Sequence, residues 1–363
     1  MDMEERKMIT RDARSYRVLS LICMSGECSE EALRILLPQD NYRQKLLYKM
    51  ISDKLITRYQ KDGVYGYRLA KKGKDYLLLM DKERFGFFLL DGADFSMRRP
   101  ILRYRLRQHR ISETLAMMES AVEIYRDRKE LIFEEYTEQT FQQSAFFVAR
   151  EVKAQKDLTR KIVSSKMTGV WVNQEEASIC YNMANNLPEW HENLENRTEI
   201  LIRSMLRKEG VEHLDALIFG NDMSVAAKIL SDGNMQRQLM VSSFERFCFI
   251  PMDRNGLLLL EMLKDKNAYE DLYCILTEDF IFSEEENQVI NDGYNNDGKP
   301  VLICVDCDLK RLVQFISQLD FIGQTGEVIC FDFQKEAVKE YCGKNAKVAA
   351  VDFEKFQENF IVQ

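Results

Sequence analysis

Residues 54–77 read KLITRYQKDGVYGYRLAKKGKDYL, and this stretch decides the fold of the N-terminal part of the chain. Two β-prone runs flank Asp62-Gly63, and Asp-Gly between such runs is a strong hairpin signal. We therefore expect strands over 54–60 and 64–70, followed by a helix over 71–80. The stretch also carries seven Lys/Arg against two Asp, in a chain whose formal net charge is −8. A basic hairpin in an acidic chain indicates contact with a polyanion.

Three helical segments precede the hairpin. The first ends at Gly26, the second starts at Ser29 and stops at Pro38, and the third spans about 40–53. Three helices followed by a hairpin is the order of a winged helix-turn-helix, which we predict for residues 1–90. In that fold the third helix enters the major groove of DNA and the hairpin, or wing, lies along the backbone.

The predicted DNA contacts are polar side chains on the outer face of the third helix and basic side chains of the hairpin. Amide side chains pair with base edges, and Lys and Arg neutralise phosphates. These candidates are Asn41, Gln44, Lys45, Tyr48, Lys49, Arg58, Lys61 and Arg68. A winged helix that contacts another protein stays open as an alternative, but the positive charge favours DNA.

A basic helical segment follows, which we predict as a connection over residues 91–140. Residues 98–110 contain six Arg and no acidic residue. Two roles are open, because this cluster either extends the DNA footprint or covers the neighbouring domain with its aliphatic stems. The added DNA candidates are Arg98, Arg99 and Arg103. His109 is expected to be a packing or surface residue rather than a metal ligand, since no second ligand lies at a suitable spacing.

Four stretches together resemble a known family. They are MITRDARSYRVLSLI (8–22), YRQKLLYKMISDKLITRYQ (42–60), YRLAKKGKDYL (67–77) and QHRISETLAMMESAV (108–122). Their order is similar to that of the replication-relaxation proteins of plasmids and integrative conjugative elements, over about residues 8–125. The resemblance implies a winged helix, a helix with a His near its start, a C-terminal α/β region and a DNA-binding accessory role. Lys54 stands where the family usually has Gly.

The rest of the chain, residues 141–363, reads as a mixed-sheet α/β domain, so the fold class is multi-domain α/β. Apolar strands alternate with helices, which is typical of a largely buried sheet. The predicted strands lie in SAFFVAREVKAQ, TGVWVNQEEASICYNM, LDALIFGND, RFCFIPM, DLYCILTED, KPVLICVDC and GEVICFDF. The predicted helices lie in EWHENLENRTEILIRSMLRKEG, NGLLLLEMLKDK and LKRLVQFISQL.

One pattern in this domain points to metal-dependent cleavage of DNA. Glu151-Val152-Lys153 is a Glu-x-Lys in a predicted strand, and restriction-endonuclease-like enzymes use such a pair to hold a divalent metal and activate water. No Asp precedes it at the place that this chemistry needs. We therefore expect no catalysis, no metal and no cofactor, with a nuclease that uses Glu151 and Lys153 as the alternative.

Charge and composition bound the function. Residues 1–130 hold 27 Lys/Arg and 20 Asp/Glu, a net of +7, which leaves 24 and 39, a net of −15, for residues 131–363. Within the first part, residues 41–110 have 18 basic and 7 acidic residues, a net of +11. A basic lobe on an acidic body is typical of a modular nucleic-acid binder. No apolar run reaches the length of a membrane span and nine Cys follow no disulfide pattern, so we expect a cytoplasmic protein.

The sequence therefore favours a non-catalytic, double-stranded-DNA-binding accessory of a mobile genetic element. Its expected partners are duplex DNA and a relaxase or replication initiator, with a second copy of the chain as a further candidate. A winged-helix transcriptional regulator with an α/β sensor or dimerisation domain is the remaining alternative.

Overall fold

The fold is taken from a computed structural model, which divides into two compact units. The first unit comprises residues 1–156 and 168–170, and the second comprises residues 157–167 and 171–363. The residues that the structure describes are 13–90, 101–122, 144–154, 162, 165–173, 176–185, 191–207, 211, 213–231, 244–282 and 289–360.

The first unit begins with the three predicted helices: α1 (Arg14–Ser25), α2 (Glu30–Leu36) and α3 (Asp40–Ser52). Gly26 ends α1 with a φ of 85°, a conformation that glycine adopts without steric cost. Ser29 caps α2 by accepting a hydrogen bond from the Ala32 amide. The local signals read from the sequence therefore set these helix ends.

The predicted hairpin consists of β1 (Ile56–Lys61) and β2 (Val64–Leu69). Asp62 and Gly63 have φ values of 53° and 73°. Two successive positive φ values are typical of hairpin turns whose twist matches that of the flanking strands. A third extended segment joins the hairpin, because the Cys28 amide donates to the Tyr67 carbonyl at 2.9 Å and the Tyr67 amide donates to the Cys28 carbonyl at 2.8 Å.

The turn before the hairpin contains Lys54, the position at which the family resembled usually has Gly. Its φ is 58°, in the left-handed region that favours glycine. The backbone conformation at this position is therefore the one for which glycine would be chosen, and lysine adopts it at a cost.

After the hairpin come α4 (Lys71–Met80), α5 (Lys82–Leu89), α6 (Leu102–Val122), β3 (Ala145–Val148) and α7 (Ala149–Lys153). The sequence treats the region of α6 as a connection, but the structure packs this helix inside the first unit against α1 and α2. Leu115, Met117 and Met118 are fully buried there. At the start of the helix, by contrast, Leu102 and Leu106 are exposed.

The second unit is mixed α/β, as predicted. Its strands are β4 (Met167–Asn173, of which 168–170 belong to the first unit), β5 (Glu176–Ala184), β6 (His213–Gly220), β7 (Phe247–Pro251), β8 (Gly293–Tyr294), β9 (Pro300–Ile303), β10 (Gly326–Phe331) and β11 (Ala346–Val351). Its helices are α8 (Glu192–Arg207), α9 (Met223–Ser231), α10 (Arg254–Lys264), α11 (Lys266–Thr277), α12 (Leu309–Ile322), α13 (Lys335–Cys342) and α14 (Phe353–Phe360).

Parallel strands form most of this unit. β5, β6 and β7 are neighbours and run parallel, as do β9, β10 and β11, while β8 pairs antiparallel with β9. β4 neighbours β5 and only two residues separate them, a connection that joins antiparallel strands alone. The predicted mixed sheet is therefore present.

One predicted strand of this unit is wrong. DLYCILTED (271–279) lies in helix α11, which Asp265 caps by accepting from the amides of Asn267 and Ala268. Ala268 and Leu272 are buried at helical spacing. The β-prone composition of this short stretch was outweighed by the cap that precedes it. Strands β8 and β11 and helices α9, α13 and α14 of this unit, together with helix α5 of the first unit, lay outside the prediction.

Candidate nucleic-acid interface

Helix α3 presents one face to solvent, and this face holds all five candidates predicted on it. These exposed side chains are Asn41, Gln44, Lys45, Tyr48 and Lys49. Residues three and four apart are neighbours on a helix surface, so they form one continuous patch. Tyr48 is 78% exposed, which places a large aromatic ring in water within the patch. An exposed aromatic ring among Lys, Asn and Gln side chains suits contact with a charged and partly apolar ligand.

The opposite face of α3 fixes which side chains point outward. Leu47 and Met50 are buried there, as predicted, and Arg43 is only 3% exposed. The Arg43 guanidinium donates to the Leu37 carbonyl at 2.9 Å and also pairs with Glu30 and Asp40. Because Arg43 is held by groups at the end and at the start of α2, rotation of α3 about its axis would break a buried charged contact.

The hairpin has two different faces, because side chains alternate along each strand and pair across it. Arg58, Gln60 and Tyr65 share one face, which is exposed near the tip (the outer face) and buried toward the base of the hairpin. The Arg58 guanidinium lies 5.1 Å from the centre of the Tyr65 ring, and Gln60 Nε2 donates to Tyr65 Oη at 2.6 Å. Lys61 lies on the inner face, yet it is exposed because it adjoins the turn.

The inner face of the hairpin meets a buried charge cluster that we call the Glu27 node. It consists of Glu27, Arg68, Arg105 and His109, whose side chains are 0%, 12%, 1% and 10% exposed. Glu27 accepts from Arg68 Nη2 and Arg105 Nη2 at 2.6 Å each, and its Oε1 lies 2.9 Å from His109 Nε2. Burial by itself raises the pKa of Glu27, but the hydrogen bonds from His109, Arg105 and Arg68 outweigh it and lower that pKa to about 2.

One predicted DNA contact, Arg68, is instead part of the Glu27 node. Arg68 was expected to bind phosphate, but its guanidinium is engaged by Glu27 and lies 3.8 Å from the centre of the Tyr59 ring. The physical reason is strand alternation, which directs Arg68 to the inner face. His109 is a packing residue, as predicted. The sequence analysis missed Glu27 and Arg105, and its only signal was an acidic residue in the short link between two helices of a basic module.

Beyond the hairpin, the predicted arginine contacts divide into two groups. Arg103 is exposed at the start of α6, and its guanidinium lies 4.9 Å from the centre of the Tyr104 ring. Arg98 and Arg99 lie outside the described residues. Arg103 therefore joins the exposed basic surface of the first unit, which has the α3 patch, Arg58 and Lys61 as its other parts.

The structure contradicts the strand placement of the candidate nuclease pair. Glu151 and Lys153 lie in the one-turn helix α7, where residues two apart point to different sides. Glu151 is 7% exposed, and its Oε2 accepts a hydrogen bond from the Val148 amide at 2.8 Å. Within the described ranges, no group of three or more His, Cys, Asp or Glu side chains is arranged to hold a metal ion. Glu151 thus caps its own helix, and the carboxylate is engaged in that structural role.

In the second unit, buried carboxylates pair with two arginines. Arg246 Nη2 contacts Asp215 Oδ2 at 2.7 Å, and Arg311 Nη2 contacts Asp292 Oδ1 at 2.8 Å. Asp308 accepts from the amides of Phe247, Lys310 and Arg311, and burial raises its pKa. These contacts hold strand β7 and the start of α12.

A cleft opens on one face of strands β4 to β7. Its lining residues are Trp171, Asn173, Glu176, Ser178, Asp215, Leu217, Arg246, Cys248 and Leu263. Its one arginine, Arg246, is held between Asp215 at 2.7 Å and Glu176 at 3.5 Å. Because the cation of the cleft is already neutralised, the cleft does not form an anion site.

No protein-family model matches this chain, and neither the curated proteins nor the solved structures provide a match. The resemblance to the replication-relaxation proteins therefore stays a prediction. Among the described residues, none of the helices is both long enough and apolar enough to cross a membrane.

Proposed function

We propose that the first unit is a winged helix-turn-helix that binds double-stranded DNA, and that the chain is a cytoplasmic, non-catalytic accessory of a mobile genetic element. The observation that carries this proposal is the outward face of α3. Five polar and aromatic side chains are exposed on this face, and a basic hairpin follows the helix. Both elements belong to residues 41–110, which have a net charge of +11. A basic surface of this kind attracts the DNA backbone.

The topology supports the winged-helix assignment. Three helices precede a two-stranded hairpin, and the backbone at Cys28 adds a third extended segment beside Tyr67. This segment lies in the link between α1 and α2, so the hairpin is joined to the helical core at its base. The hairpin tip at Asp62 and Gly63 is exposed, as the tip of a wing would be.

In the proposed complex, α3 lies in the major groove and reads sequence. Gln44 and Asn41 carry amide groups that match adenine edges, while Lys45 and Lys49 neutralise phosphates beside the groove. Arg58 and Lys61 of the hairpin contact the backbone next to it. Arg103 extends the same footprint, because it lies on the helix whose first turns pack against the hairpin.

The remainder of the chain suits a role in recruitment. Residues 131–363 carry a net charge of −15, which repels a DNA backbone and attracts a basic protein surface. We propose that this part engages a relaxase or a replication initiator during plasmid replication, relaxation or conjugative transfer. A second copy of the chain is the other candidate partner.

Fluorescence anisotropy with labelled duplexes tests the DNA-binding proposal. The full chain is expected to bind duplex DNA with an affinity that falls as salt rises. Gln44→Ala is expected to weaken binding to a selected site more than to random DNA, whereas Lys61→Ala is expected to weaken both alike and to reduce the salt slope by about 0.9. Lys347→Ala, whose side chain is 82% exposed in the second unit, is the charge-matched control and should change neither.

Two results would contradict this assignment. Failure of the full chain to bind duplex DNA at low salt would refute DNA binding by the first unit. Equal losses on selected and random duplexes for Gln44→Ala and Lys61→Ala would show that α3 does not read sequence.

Incubation with plasmid DNA and Mg²⁺ or Mn²⁺ tests whether the chain is catalytic. We expect binding without cleavage, because Glu151 is engaged by the Val148 amide. Cleavage that disappears in Glu151→Gln would replace the accessory role with a nuclease.

A further inference from the structure

The tip of the hairpin is attached to helix α6 by one side chain, Arg105. Its Nη1 donates to the Lys61 carbonyl at 2.6 Å, and its Nη2 donates to the carbonyls of Val64 at 3.0 Å and Tyr59 at 3.4 Å. Lys61 and Val64 are the two residues that flank the turn. Arg105 therefore holds the last backbone groups before the tip.

Glu27 fixes the direction of that arginine. Its Oε1 accepts from Arg105 Nε at 2.9 Å and from Arg105 Nη2 at 2.6 Å, and both side chains are buried. A guanidinium has five N–H donors in a planar fork, and here they are divided between one carboxylate and the hairpin carbonyls. A shift of the hairpin would leave a buried charge with unmade hydrogen bonds.

Among the described residues, the other contacts of the hairpin with its surroundings, such as those of Arg68 with Glu27 and of Tyr67 with Cys28, lie nearer its base. A two-stranded hairpin is only marginally stable by itself, and the backbone contact with Cys28 is made at Tyr67, three residues from Val64. The hairpin backbone at Gly66 lies so close to the Glu27 node that any side chain there would collide with Glu27 Oε1 and His109 Nε2. The orientation of the tip thus depends on the node.

We propose that Arg105, oriented by Glu27, is a positioning residue for DNA binding: it fixes the angle at which Arg58 and Lys61 meet the DNA backbone and does not itself touch DNA. This inference rests on the proposed function. It makes α6 part of the DNA-binding module, whose boundary then lies beyond residue 90.

The chain offers a matched control for a merely structural effect. Arg17 Nε pairs with Glu119 Oε1 at 2.6 Å, and Glu119 is 4% exposed. This pair also joins the helical core to α6, but it lies between α1 and the last turn of α6 and has no contact with the hairpin carbonyls. Arg17→Met therefore removes an ion pair to the same helix while leaving the hairpin contacts in place.

The first measurement needs no DNA. Amide hydrogen exchange of the hairpin peptides is compared in the full chain and in its Arg105→Met, Arg105→Lys and Arg17→Met variants. We expect exchange around the tip to rise at least about tenfold in both Arg105 variants, the effect of one lost charge-assisted hydrogen bond. Arg17→Met should leave the tip unchanged. Equal protection of the tip in all four chains would overturn the proposal.

The second measurement tests coupling to DNA. Arg58→Ala is expected to reduce the salt slope by about 0.9 in the wild-type and Arg17→Met backgrounds, because one phosphate contact is lost. In the Arg105→Lys and Arg105→Met backgrounds, Arg58→Ala is expected to change the salt slope of DNA binding little, since the hairpin no longer holds Arg58 beside the DNA backbone. A full effect of Arg58→Ala in those backgrounds would refute the positioning role.

The two measurements separate this inference from the proposed function. If the wild-type chain does not bind DNA, the proposed function fails, and with it the role assigned to Arg105, whatever the exchange result. If DNA binding and the Gln44→Ala effect are present but Arg105→Lys behaves as wild type, only the positioning role fails. Unfolding of the whole first unit in Arg105→Lys would also overturn it, because Arg105 would then be a general determinant of the fold.

Discussion

Replacing Glu27 with Gln tests how strongly the node stabilises the first unit. Gln keeps the shape of the side chain but leaves two buried arginine side chains without their carboxylate. The pKa of Glu27 falls from 4.5 to about 2 on folding, so its ionised form is stabilised by about 3 kcal/mol at pH 7. Breaking a buried ion pair typically costs about 3–5 kcal/mol, which agrees with that figure.

The dependence on pH has a definite sign. Because the folded pKa lies below the unfolded one, the stabilisation is complete above pH 4.5 and is lost as the pH falls toward 2. At pH 3.5 it is reduced to about 2 kcal/mol. Glu27→Gln should therefore destabilise the first unit less at pH 3.5 than at pH 7.

Hydrogen exchange is the suitable assay, because both tryptophans lie at positions 171 and 190, outside the first unit. Peptides from residues 13–90 should exchange about 300-fold faster in Glu27→Gln than in wild type at pH 7, and about 30-fold faster at pH 3.5. Peptides from residues 244–282 serve as the internal control and should exchange at the same rate in both chains. An equal ratio at the two pH values would refute the assigned role of the Glu27 charge.

Three further substitutions and two fragments test the fold of the first unit. Gly66→Ala should destabilise this unit by at least about 1–3 kcal/mol, because the new methyl group overlaps the Glu27 node. Gly86→Ala in helix α5 meets only an ordinary contact and should stabilise the unit by about 0.5–1 kcal/mol. Thermal unfolding of the two variants distinguishes these outcomes. Lys54→Gly should raise the stability by about 0.5–1 kcal/mol by relieving a φ of 58°, and an unchanged or lower melting temperature would contradict this. A fragment of residues 1–90 lacks α6 and should not unfold cooperatively, while residues 1–156 should; circular dichroism melts of both fragments check this.

Local signals determined the N-terminal elements. The Asp-Gly pair predicts the hairpin turn, Ser29 predicts the start of α2, and the spacing of Leu47 and Met50 predicts which face of α3 is exposed. Each of these depends on groups within a few residues of one another, so the sequence alone specifies them. Such a signal fails where short patterns are ambiguous: DLYCILTED (271–279) is β-prone in composition but follows a helix cap.

Glu151 and Lys153 illustrate a second limit. The sequence pattern Glu-x-Lys carries no information on the backbone that presents it, and in the structure it falls on a helix turn instead of a strand. The carboxylate then satisfies the nearest unpaired amide, that of Val148. A catalytic reading requires the backbone geometry, which only the folded chain provides.

The tertiary structure alone decided the Glu27 node. Glu27 lies 41 residues from Arg68 and 78 residues from Arg105, and composition counts all of them only as charges. Folding brings them together because a buried carboxylate needs partners to offset its lost hydration, and the arginines nearest in space supply them. The sequence thus determined that this module is basic and contains a hairpin, while tertiary packing decided which cations face solvent and which hold the hairpin in place.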